Sequence, residues 1–77
     1  MDLWDFLFKK IMDKLLEQLE QRAIGSYGGH YTILRFTNNW KVGFGTANER
    51  EQIDELEGFE TLEEAIVNCL LNDVSVW

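Results

Sequence analysis

Apolar side chains recur at three- and four-residue spacing through the start of the chain: Trp4, Phe8, Ile11, Met12, Leu15, Leu16 and Leu19. That period gathers them on one side of a helix, and Lys9, Lys10, Asp13, Lys14, Glu17 and Glu20 fill much of the other side. The pattern predicts an amphipathic helix over residues 1–24, its stripe running from Asp2 to Ala23, with Gly25 ending it as a left-handed cap. The like-charged pairs Lys10–Lys14 and Asp13–Glu17 oppose it weakly. Leu3, Phe6 and Leu7 widen the apolar surface over the first turns, so the helix is expected to meet two neighbours there.

The period then shortens to two. Residues 29–46, GHYTILRFTNNWKVGFGT, read as an antiparallel β-hairpin. Asn38-Asn39 supplies a two-residue type I′ turn, because asparagine tolerates positive φ. This turn would set Thr37 opposite Trp40, Arg35 opposite Val42, Ile33 opposite Phe44 and Tyr31 opposite Thr46. Tyr31, Ile33, Trp40, Val42 and Phe44 then share one face. The other face carries Thr32, Leu34, Phe36 and Lys41, with Gly43 and Gly45 leaving a trough. Glycine within a strand marks a bulge or a close approach. Apolar groups on both faces imply that the hairpin is covered on both.

Residues 47–60 form an acidic segment. Asn48 as N-cap, Glu51 three positions on and a stop at Gly58 read as a short helix turning Ile53 and Leu56 inward, or as an acidic loop. Residues 61–73 are a clearer helix: Thr61 and Glu64 make a capping box, and Leu62, Ala65, Ile66, Cys69 and Leu70 form its stripe. Residues 74–77 alternate and can add a third, C-terminal strand. The fold class expected is α+β, one domain over residues 1–77, with the C-terminal helix packed on the sheet.

Composition changes this picture in three ways. A chain of 77 residues buries only about 60% of its unfolded surface and needs a supplement to its core. Cys69 is the sole cysteine and His30 the sole histidine, so neither a disulfide nor an N/S metal site can supply it. A homodimer or higher oligomer is therefore expected, through Trp4, Phe8, Ile11 and Leu15. Thirdly, charge is segregated. From Asn48 to Glu64 eight acids face Arg50 alone, which equals the −7 of the whole chain. Carboxylates at Glu49, Glu51, Asp54, Glu55 and Glu57 read as a surface for a basic partner, with Glu51, Asp54, Glu55 and Glu57 crowding one helical side.

No catalytic residue, cofactor or metal ligand is assigned. Cys69 lies in an apolar stripe, where a buried thiol is usual, and His30 opens a strand. The glycines from Gly25 to Gly29 run from a helix end into a strand, the reverse of a phosphate loop. Tyr31, Trp40 and Phe44 have the shape to stack on bases, but the negative charge opposes a phosphate backbone, so no direct nucleic-acid contact is expected. The first helix is not strongly basic, so no membrane contact is expected either. Acids at the N-terminus and the lack of a long apolar run point to the cytoplasm.

Trp40, Val42, Phe44 and Gly45, followed by Thr61, Glu64, Ala65 and Ile66, resemble a pattern in small phage and prophage α–β proteins. Those proteins pair a WxVxFG-like hairpin with a closing T-x-x-E-A-I helix. The resemblance rests on core residues, excludes the N-terminal helix and carries no functional residue across. Size and acidity also resemble anti-defence proteins of the anti-CRISPR type, many of which bind a host nucleoprotein. This implies a non-enzymatic phage protein of the bacterial host cytoplasm that blocks a basic or nucleic-acid-binding surface of a host defence protein. The alternative is a homo-oligomeric structural or accessory module assembled through the N-terminal helix.

Overall fold

In the computed structural model, which describes residues 2–77, the N-terminal apolar period becomes helix α1, Leu3–Ser26. Met1, counted in the expected helix, lies outside the described residues. Asp2 caps the helix by accepting from Trp4 N at 3.3 Å. Gly25 does not end it. The left-handed backbone falls instead at Gly28 (φ +62°) and Gly29 (φ +84°). Reversing from helix into strand here takes two consecutive positive φ angles, which this glycine pair adopts without Cβ strain. Ala23 O closes the end by accepting from both Tyr27 N and Gly29 N.

Strands β1 (Tyr31–Arg35) and β2 (Trp40–Phe44) pair antiparallel, with Tyr31 opposite Phe44, Ile33 opposite Val42 and Arg35 opposite Trp40. The expected register is thus displaced by two residues, and the expected type I′ turn is absent: neither Asn38 nor Asn39 has a positive φ. Phe36 N donates to Asn39 O across a turn centred on Thr37-Asn38. The cause is long-range. A turn at Asn38-Asn39 would aim the Trp40 amide at Thr37, but Trp40 N donates to Phe59 O at 2.6 Å and Trp40 O accepts from Phe59 N at 2.9 Å. Trp40 cannot do both, and the bridge to Phe59 prevails. A displacement of two, unlike one of one, leaves every side chain on its expected face.

The other end of β2's outer edge is closed by the tail. Phe44 N donates to Val74 O, and Val76 N donates to Phe44 O. This is one parallel bridge at Ser75 rather than the expected third strand, because β2 itself ends at Phe44, with Gly45 at φ +91°. Helix α2, Arg50–Asp54, is capped by Glu49 instead of Asn48 and stops well before Gly58. Gln52 Oε1 accepts from Asn48 N at 2.7 Å and from Glu49 N at 2.9 Å, which fixes the start one residue later than expected. Helix α3, Leu62–Asn72, matches the capping-box reading: Thr61 Oγ1 accepts from Glu64 N at 3.2 Å and donates to Glu64 Oε1 at 2.9 Å.

The result is an α+β fold with the hairpin in the middle. On one face Val42 and Phe44 join Leu19 and Ala23 of α1 and Ala65, Ile66 and Cys69 of α3 in the buried core. Tyr27 stacks on Phe44, ring centroids 4.6 Å apart and nearly parallel. On the other face Leu56 and Val76 close over Gly43, where an added Cβ would lie 3.0 Å from Val76 Cγ1 and 3.2 Å from Leu56 Cδ2. Gly45 (φ +91°) receives the Trp77 ring, whose Nε1 donates to Thr46 O at 3.1 Å. The glycine trough is therefore a close-approach surface. Arg22, near the end of α1, donates to Asp73 beyond α3 and ties the two helices together.

Candidate interaction surfaces

The reactive side chains are kept apart. Cys69 is fully buried, and burial pushes its thiol up from 9.0 to about 11, the backbone at Phe44 and Val74 opposing only in part. Its Sγ donates to Val74 O at 3.6 Å. His30 is exposed and faces the Trp77 ring at 6.1 Å. Thiol reagents are expected to modify Cys69 only as the protein unfolds, with the reaction rate tracking the unfolded fraction. The sign of the pH effect follows from the raised value: the unfolded chain loses this proton first. The thiol's contribution to stability is intact below about pH 9 and is lost as pH rises toward 11. A urea midpoint that stayed constant across that range would contradict the assignment. Among the described residues no group of three or more His, Cys, Asp or Glu could hold a metal ion, and no helix is long and apolar enough to cross a membrane.

The acidic layer sits on the far side of the hairpin from α1 and α3. It is anchored by polar bonds as well as by Leu56: Lys41 Nζ donates to Ile53 O at 3.1 Å, and Gln52 Nε2 donates to Val76 O at 2.8 Å. Glu49, Glu51, Asp54, Glu55 and Glu57 are all exposed. Arg50, 3.9 Å from Asp54, is the cation paired within this segment. The carboxylates do not line one helical side as expected, because α2 covers only Arg50–Asp54 and leaves Glu57 in the following loop. Between β1 and α2 lies a concavity of about 430 Å³ with Leu34, Phe36 and Ile53 as its floor and Arg50 and Asp54 on its rim.

The first turns of α1 form the second surface. The core contacts of this helix begin near Met12, with Leu15, Leu16, Leu19 and Ala23 following. Before that point the same apolar stripe continues, and among the described residues no core residue packs over it. Trp4 is 77% exposed, Leu3 68%, Ile11 57% and Phe8 53%. Phe6 and Leu7 are exposed as well. Among the described residues the expected two neighbours of this region are absent, because the hairpin and α3 pack on α1 only from about Met12 onward. Helix persists there because adding residues to an existing helix costs no new nucleation. Of the predicted self-association residues, Trp4, Phe8 and Ile11 are exposed together, whereas Leu15 is half buried at the margin of the core.

Two features escape the hydrophobic pattern. One is a concavity of about 640 Å³ on the outer flank of α1, lined by Ile11, Lys14, Leu15 and Gln18 among others. Its signal is the spacing of those four residues, the diamond that receives a side chain from a facing helix. The other is Val67 and Leu71, exposed one turn apart on the outside of α3. No protein-family model matches the chain, and no curated protein or solved structure is significantly similar to it.

Proposed function

We propose that this protein is a non-catalytic interaction module that works through the bare first turns of α1. The observation that supports the reading is the joint exposure of Leu3, Trp4, Phe6, Leu7, Phe8 and Ile11 on one rigid element. An apolar patch of that kind on a small domain marks a surface meant to be covered. Aromatic anchors also carry a large share of binding energy where they are present.

The acidic layer supports a second reading. Its exposed carboxylates, held on the opposite side of the sheet by the Lys41 and Gln52 bonds, suit a partner with a basic or nucleic-acid-binding surface. In that reading the protein acts as a blocker of a host component, as phage anti-defence proteins do. One experiment weighs the two. Tagged protein is used to capture partners from its native cell, alongside Trp4→Glu and a variant with Glu51, Asp54, Glu55 and Glu57 changed to Lys. Loss of capture with Trp4→Glu alone supports the helix. Loss with the charge reversal alone supports the acidic layer. Retention by both variants sinks both readings.

A further inference from the structure

The bare stripe of α1 has a spacing that is its own reverse, and we propose that a second copy of this chain covers it. The two α1 helices pack antiparallel across a two-fold axis. This rests on α1 being the interaction surface, and it identifies the occupant. Trp4, Phe8, Ile11 and Leu15 are separated by four, three and four residues. Running the same helix backwards therefore sets Trp4 level with the second copy's Leu15, and Phe8 level with its Ile11. A two-fold contact requires such self-complementarity, since each copy presents the same surface.

A concavity on α1 borders this stripe, lined by Ile11, Leu15 and Gln18 together with the charged Lys10, Asp13, Lys14 and Glu17. Its residues Ile11, Lys14, Leu15 and Gln18 stand in the arrangement that accepts one knob from a facing helix. In the antiparallel register Trp4, the most exposed residue of the stripe, enters that diamond. The second copy's Lys14 then flanks the Trp4 ring, a favourable cation–π geometry.

Charge and area agree. Each copy carries −7, yet in the contacting part, residues 2–18, four acids (Asp2, Asp5, Asp13 and Glu17) face three lysines (Lys9, Lys10 and Lys14), a net of only −1. The copies therefore meet through a nearly neutral surface. The exposed fractions of Leu3, Trp4, Leu7, Phe8 and Ile11 amount to roughly 500 Å² per copy. A standard interface buries about 800 Å² per partner. A lipid surface fits less well, because interfacial helices are rich in Lys and Arg, and here Asp2 and Asp5 occupy the tip.

Sedimentation equilibrium of the full chain over the micromolar range tests this. The expected mass is twice the 9.0 kDa of the protomer. Trp4→Glu and Ile11→Glu are each expected to weaken association roughly thirtyfold or more. Both positions are exposed in the protomer, so far-UV circular dichroism should show the fold retained. Trp4→Ala serves as the milder control. For orientation, Leu7→Cys and Lys14→Cys chains are mixed and oxidised, with buried Cys69 not competing. The mixed disulfide is expected, and none from Lys14→Cys alone. A monomeric wild type, an undiminished dimer in both glutamate variants, or a disulfide between two Lys14→Cys chains overturns the proposal. So does a monomer that co-sediments with phosphatidylserine-containing vesicles. A monomer whose cellular capture still depends on Trp4 overturns the second copy but leaves the helix surface standing.

Discussion

Replacing Phe44 by alanine is expected to cause a large loss of stability, read as a much lower urea midpoint. Phe44 is fully buried, stacks on Tyr27, and through its backbone holds the C-terminal tail in place. Phe→Ala in a core typically costs about 3–5 kcal/mol, lost transfer energy plus the cavity left behind. Stability of roughly 0.05–0.15 kcal/mol per residue gives a chain of this length about 4–12 kcal/mol in all. The loss therefore consumes a large part of the total. Phe44→Leu keeps most of the volume and should cost much less. Urea unfolding followed by circular dichroism compares the three proteins. A cost below about 1 kcal/mol for the alanine variant would show that the stacked pair is not the centre of the core.

Gly43→Val is expected to act on the opposite face and in a different way. The new Cβ would stand 3.0 Å from Val76 Cγ1 and 3.2 Å from Leu56 Cδ2, both of them side chains that are themselves buried. They cannot swing into solvent, so the outer layer as a whole must lift. Overpacking of this kind costs about 1–3 kcal/mol. The loss should be concentrated where the outer layer is attached: the Gln52–Val76 and Lys41–Ile53 bonds lengthen or break. Hydrogen exchange is expected to accelerate across residues 50–59 while amides of α1 and α3 stay protected. Uniform acceleration would mean that the layers do not separate. Unchanged exchange would mean that the trough has room to spare.

Elements defined by neighbours in sequence were legible before the structure. The Thr61–Glu64 box, the stripe of α3 and the faces of the hairpin depend on spacing alone, and all are present. The turn was misplaced because two uses of one amide compete. Asn38-Asn39 favours a local turn, but the Trp40 amide is used by Phe59, nineteen positions away. No local signal ranks those options. The end of α1 failed for a related reason: Gly25, Gly28 and Gly29 all qualify as stops, and the choice rests on where the strand must begin. Least legible was the fate of the N-terminal stripe. Trp4 and Leu19 share one helical period, yet Leu19 is fully buried and Trp4 mostly exposed. Periodicity identifies a face that is covered without saying whether the cover belongs to the same chain.

The three tryptophans occupy three separate parts of the fold. Trp4 stands on the bare helix end, Trp40 sits at the hairpin bridge beneath the Arg35 guanidinium, and Trp77 lies over Gly45. Their emission is therefore a composite signal. On unfolding, the half-buried Trp40 should shift to longer wavelength while Trp4, already in water, changes little. On raising protein concentration, the order should reverse: Trp4 alone shifts to shorter wavelength as the second copy arrives. Light absorbed by one residue type thus separates loss of the fold from gain of a partner, without any added label.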